Sequence, residues 1–132
     1  MVNRAKDRFA QAERDLRHAE DSAQGGAYEW ACFAAHQGAE KAVKALHLHL
    51  GQEAWGHIVA KLLRELPIDV PLELVDRGSV LDNFYVPARY PNGHPEGAPF
   101  EHYGTRQSKE AIEDAREILE FVGAEMARPP DR

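Results

Sequence analysis

The segment Arg89-Tyr90-Pro91-Asn92-Gly93-His94 sets a permanent cation and a titratable imidazole five positions apart. Histidine titrates near neutrality, so it can take or return the proton of a ribose 2′-hydroxyl. Arginine stays charged and can clamp a phosphate through two parallel hydrogen bonds as negative charge builds on it. Arg89 and His94 are therefore the candidate catalytic pair for metal-free RNA cleavage. The structural alternative has Arg89 anchoring its loop to helix carboxylates and His94 facing solvent. The neighbouring prolines restrain the loop.

A second polar group comprises His36, Gln37, Glu40, Lys41, Lys44 and His47, which fall on one side of a helix at ~100° per residue. Lys41 and Lys44 suit phosphate, or are simply solvated. His36 and Glu40 lie one turn apart, as metal ligands can, but too few further ligands accompany them for a closed site, and no metal or cofactor is expected. His47 and His49 point to different sides of the same helix. His57 follows Gly56 at the start of the next helical segment; it is a local cap, a core contact, or a third group to meet phosphate. Cys32 sits between Ala31 and Phe33, which gives no reason for an activated thiolate. The chain has no Walker loop and no Gly-x-Gly-x-x-Gly. Gly78-Ser79 matches the start of a nucleotidyltransferase signature, but no Asp-x-Asp follows, so the chain is not itself that enzyme.

These residues need elements to hold them. Ala5, Phe9, Ala12, Leu16 and Ala19 recur at alternating spacings of four and three, which predicts a helix from Asn3, as N-cap, to Ala23, ended by Gly25-Gly26. A second helix is expected from Ala27 to Leu50, with Tyr28, Ala31, Ala35, Ala39, Ala42, Val43, Leu46 and Leu50 on its wide apolar face. Trp30 and Phe33 fall on the polar side, which suggests that another helix or a second subunit covers it. Ile58, Val59, Leu62, Leu63 and Leu66 predict a third helix over Gly56–Leu66, closed by Pro67. A weaker one is expected from Pro71 to Phe84, with Gly78 as an awkward interior residue. The stretch 86–104 reads as one long irregular loop. The last helix is expected from Thr105, as N-cap, with Ala111, Ile112, Ala115, Ile118, Leu119 and Val122 inward and Pro129-Pro130 as its stop.

No period-two alternation survives this reading, so the fold class is all-α: an up-and-down antiparallel bundle of four or five helices. The 132 residues suit one domain, residues 1–128, with a frayed tail at 129–132. No apolar run approaches the ~20 residues that span a bilayer, so no membrane association is expected. One cysteine and a charged N-terminus lead to a cytoplasmic expectation. Sixteen basic against twenty-two acidic residues give a net charge of −6, which argues against a broad nucleic-acid coat and leaves room only for a local basic cleft.

The run Ala34-Ala35-His36-Gln37-Gly38-Ala39-Glu40-Lys41-Ala42-Val43-Lys44-Ala45-Leu46 resembles the second helix of HEPN domains. Gly56-His57 with Leu62-Leu63, Leu81-Asp82 with Tyr85-Val86-Pro87-Ala88-Arg89-Tyr90-Pro91, and Ala111, Ala115 and Ile118 before Phe121-Val122 resemble the same family. The resemblance spans roughly Ala5 to Val122. It implies a helical bundle that commonly forms a homodimer, binds a nucleotide, and works beside a separate minimal nucleotidyltransferase. It implies, as an alternative, a metal-independent RNase of the toxin–antitoxin kind, using an Arg, four to six residues and a His across two facing subunits; Arg89 and His94 match that spacing. A non-catalytic structural dimer is the third reading. In tyrosine-modified toxins of this family a Tyr stands two residues after the His, where this chain has Glu96. Under the resemblance Lys41, Lys44, His57 and Tyr90 are the candidate nucleotide- and phosphate-binding residues.

Overall fold

A computed structural model describes residues 4–85 and 97–129. The Asn3 cap, the Arg89, Tyr90 and His94 assignments, and the end of the tail from Pro130 lie outside the described residues. Helix α1 runs Ala5–Gln24 and begins after Arg4. Its Ala5, Ala12 and Ala19 are buried, seven residues apart, and form a flat strip of small side chains. That strip allows the backbone of α2 (Tyr28–His49) to come very near. At the closest point Gly38 faces α1: a Cβ there would stand 3.2 Å from the Ala12 carbonyl oxygen. The turn between the two helices uses Gly26 at φ +84°, a left-handed conformation that costs glycine little.

Helix α2 is the hub, packing against all four other helices. Ala31, Ala35, Ala39, Ala42, Val43 and Leu46 of its expected apolar face are fully buried. Leu50 departs from the expectation: it lies past the helix end and is exposed. The expected polar side departs more. His36, Glu40 and His47 are buried with the apolar face, because α3 and α4 close over them. His47 is a structural group: Nε2 donates to the Leu62 carbonyl at 2.9 Å, and Nδ1 accepts from Gln52 at 2.7 Å. Both ring nitrogens are thereby satisfied without solvent.

Helix α3 is short, Val59–Arg64. The expected start at Gly56 is wrong because Gly56 has φ +101° and Ile58 is extended, so the helix cannot begin before Val59. Ile58 consequently stands exposed instead of joining the core. Helix α4 covers Leu72–Asp82, and turns carry the chain on to Tyr85. Gly78 in its middle is explained by packing. A Cβ would lie 3.1 Å from Ala60 N, 3.1 Å from Val59 Cγ1 and 3.2 Å from Leu63 Cδ1, so the missing side chain is what allows α3 to seat on α4.

The stretch 97–104 is not wholly irregular. Pro99–His102 forms a 3₁₀ helix, with Ala98 N donating to Glu101 Oε1 at 2.6 Å. Helix α5 (Thr105–Ala127) starts where expected, but Gly104 is its N-cap; Gln107 Oε1 reaches back to accept from Gly104 N at 3.1 Å. Ala111, Ile112, Ala115, Ile118, Leu119 and Val122 are all buried, on a helix that packs against α2, α4 and α1. The ion pair Arg77–Asp114, at 2.7 Å, fastens α4 to α5. The fold is all-α, with no strand among the described residues and no helix long and apolar enough to cross a membrane.

Two outcomes follow from this packing. Gly78→Leu forces atoms into a filled interface and should cost about 1–3 kcal/mol or more, read as a lowered urea midpoint. The second concerns Cys32 and Tyr103, which are buried close together. Desolvation, with Glu29 nearby, pushes the Cys32 thiol from its ordinary 9.0 to about 12, and desolvation does the same to the Tyr103 phenol, from 10.0 to about 12. The folded state holds these protons where the unfolded state has released them. Stability is thus intact below pH 9 and falls as pH rises towards 12. Cys32→Ala should flatten that alkaline decline in thermal melts, and the native thiol should resist alkylation at neutral pH until the protein unfolds.

Candidate functional site at the root of the 86–96 segment

Six side chains from α2, α3's approach and the end of α4 meet where the chain enters residues 86–96. His36, one turn before Glu40, is fully buried, and its Nε2 lies 3.1 Å from Asp82 Oδ1. A carboxylate only accepts, so Nε2 is the donor. The same carboxylate accepts from Val59 N at 2.7 Å and Ala60 N at 3.0 Å. Asp82 therefore caps α3 from another helix, because Ile58, at the N-cap position, has no side chain able to do so.

His57 sits two residues before α3, with its side chain 56% exposed. Its Nδ1 donates to Glu40 Oε2 at 3.0 Å, and Lys44 Nζ donates to the same oxygen at 3.0 Å. Glu40 is buried, so this carboxylate is a fixed post rather than a waving surface group. It sets the His57 tautomer and leaves Nε2 without a hydrogen bond among the described residues. The Tyr85 ring stacks on His57 with centroids 5.2 Å apart and planes 14° from parallel. It also touches His36 at 5.0 Å and Phe33 at 6.3 Å. The stack restrains the imidazole from the side that Glu40 does not reach.

Two shielded atoms in this cluster, His36 Nδ1 and Glu40 Oε1, have no hydrogen-bond partner among the described residues. Buried polar atoms left unmade cost about 1–3 kcal/mol each, so the arrangement trades stability for placement. The chemistry it offers is a carboxylate-held imidazole with its second nitrogen outward, an adjacent ammonium, and an aromatic wall. Such an imidazole can bind a phosphate oxygen or pass a proton.

The sequence-derived candidates divide. Lys44 and His57 come together at Glu40. Lys41 does not join them: it turns towards α1, where Nζ lies 2.7 Å from Asp15 Oδ2. Arg89, Tyr90 and His94 lie outside the described residues, but Arg89 follows Tyr85 by only four positions. Asp82 and Tyr85 carry no role in the sequence reading beyond their place in the family-like run. Glu40 appears there only as a doubtful metal ligand, although its spacing to Lys44 signals an i,i+4 ion pair. No group of three or more metal-binding side chains occurs among the described residues.

Comparison with known proteins agrees with the architecture. A family model described as HEPN domain matches residues 5–126. TT1696 from Thermus thermophilus is 50% identical, with 93% of this chain and 98% of that one covered and a TM-score of 0.91. ST0689, an archaeal HEPN homologue, is 41% identical over 95% and 99% of the two chains, with a TM-score of 0.83. An HEPN domain protein from Thermotoga maritima is 33% identical over 93% and 99%, with a TM-score of 0.76. Among curated proteins, none matches.

The Asp82 carboxylate should be the costliest side chain of the cluster to lose. Asp82→Ala strands His36 Nε2 and the two first-turn N–H groups of α3 at once. Destabilisation of about 2–4 kcal/mol is expected in chemical denaturation. His57→Ala, at a half-exposed position, should lie within about 1 kcal/mol of the parent.

Proposed function

The chain belongs to the HEPN-domain family, and from that premise we propose that it is a nucleotide-binding subunit that works beside a separate minimal nucleotidyltransferase. The observation that carries this reading is the Glu40-held His57, outward at Nε2, beside Lys44 and at the foot of the segment that bears Arg89, Tyr90 and His94. An imidazole and an ammonium, with a guanidinium close by in the chain, suit the phosphates of a nucleotide. The acidic balance of the chain confines that affinity to the place where the cations gather.

A second reading is metal-independent cleavage of RNA by Arg89 and His94, with two copies of the chain facing each other. The Glu40–His57 pair supports it only as an assisting group, a carboxylate-oriented imidazole able to help move a proton. No metal enters that chemistry. The 2′-hydroxyl loses its proton to a base and attacks the adjacent phosphorus. The 5′-oxygen leaves with a proton, and a 2′,3′-cyclic phosphate remains.

Titration calorimetry with ATP and AMP tests the first reading. Arg89→Ala should weaken binding by about tenfold or more, because a charge-assisted clamp is lost, and His57→Ala should weaken it less. Wild-type affinity in both variants would exclude this site. Incubation with single-stranded RNA in EDTA tests the second. Cleavage ending in cyclic phosphate, lowered by ~10²–10⁴-fold in His94→Ala, is the expected result for an enzyme. Intact RNA, together with nucleotide binding, leaves the binding subunit alone standing.

A further inference from the structure

His57 offers solvent one ring nitrogen, and the state of that nitrogen decides what it can hold. Its Nδ1 carries the hydrogen donated to Glu40 Oε2 at 3.0 Å, because a carboxylate only accepts. In the neutral ring Nε2 is then a bare lone pair, on a side chain that is 56% exposed. A phosphate oxygen is an acceptor as well, so the neutral ring gives it nothing to bind. We propose that this site binds phosphate together with a proton: as the anion arrives, the neutral His57 ring is converted to imidazolium, and the new Nε2–H donates to a phosphate oxygen. The proposal rests on the nucleotide-binding reading and adds to it how the site is regulated.

The charges around the ring make the proton necessary. From α2 come the buried Glu40 carboxylate, the Lys44 ammonium 3.0 Å from the same Oε2, and the buried His36. From the end of α4 and the turns beyond come the Asp82 carboxylate and the Tyr85 phenol, whose ring lies along the imidazole with centroids 5.2 Å apart. On α3, Lys61 is drawn to Glu65, 3.9 Å away, and the two charges cancel. Two carboxylates thus stand against one ammonium among the described residues of the cluster. An anion that enters meets net negative charge, and a proton on His57 brings the balance to zero.

The proton has one suitable place. His36 cannot serve, because its Nε2 is spent on Asp82 and its Nδ1 is shielded from solvent and from any ligand outside. Lys44 is already charged, and its side chain is only 20% exposed, against 56% for His57. The Glu40 carboxylate, fixed against Nδ1, stabilises charge on the ring without having to move. Its attraction is stronger there than it would be in water.

A site that gains a proton on binding holds its ligand more tightly as pH falls. The probe is AMP, titrated by calorimetry at several pH values and, near neutrality, in both Tris and HEPES. Affinity should fall by about fivefold between pH ~7 and ~8.5, with roughly half a proton taken up per AMP over that span. The buffer supplies that proton, so the measured heat should differ between the two buffers, whose heats of ionisation differ. His57→Gln keeps an amide that can donate but has no titrating ring. Its AMP affinity should stay near the wild-type value at pH ~8.5 across the same range, and its heat should no longer depend on the buffer. In proton NMR, the imidazole Cε1–H resonance that this variant lacks should move to its charged position when AMP is added to the wild type. His57→Ala makes the same comparison should the glutamine variant fold poorly. AMP binding with a flat pH profile and equal heats in both buffers would overturn the proposal and leave the nucleotide-binding reading standing. Proton uptake that survives in the His57 variants would also overturn it, since the proton would then reside on the AMP phosphate or on another group. No binding of AMP at any pH would overturn both the proposal and the reading beneath it.

Discussion

Three donors from two distant parts of the chain converge on the Asp82 carboxylate: His36 on α2 and the Val59 and Ala60 amides of α3. A helix of six residues has no stability of its own, because the cost of nucleation is spread over too few hydrogen bonds. Packing on α4 at Gly78 and the borrowed cap from Asp82 are what hold α3. The same carboxylate gives a buried imidazole its partner. Because α3 is pinned, the residue just before it is pinned too, and His57 stands over Glu40 rather than drifting with the loop. The geometry of the candidate site is thus inherited from a joint that takes no part in its chemistry.

Helix α2 serves two polar surfaces at once. Lys41 and Lys44 are three residues apart, yet each is drawn to a carboxylate on a different flank, Asp15 on α1 and Glu40 on α2 itself. What distinguishes the Glu40 flank from an ordinary ion pair is that its buried carboxylate holds an imidazole as well as an ammonium. His57 Nε2 keeps hydrogen-bonding capacity unused among the described residues, while Nδ1 is held by Glu40 and the side chain is open to solvent. Rigid groups with unmet capacity are the raw material of binding sites, since little ordering remains to be done when a ligand arrives. Phe33 lies between the flanks and links them through ring contacts with Trp30 and Tyr85.

Residue order alone was enough for the all-α class, for the approximate bounds of α1, α2 and α4 and the start of α5, and for the inward stripes of α1 and α5. Those features depend on local periodicity, and a helix repeats its face every turn wherever it packs. It also marked His36, Glu40, Lys44 and His57 as noteworthy, through their types and the family-like run around them. It could not show which pairs form. His57 and Glu40 are seventeen positions apart, and His36 and Asp82 forty-six, and no spacing rule reaches across such distances. Nor could it show that His36, Glu40 and His47 are buried, since their polarity argues for solvent until α3 and α4 are laid over them. Gly78 is the plainest case. Its lack of a side chain weakens α4 when read locally, yet it is what lets α3 approach. The folded packing settles that matter, because the atoms that need the space belong to another helix.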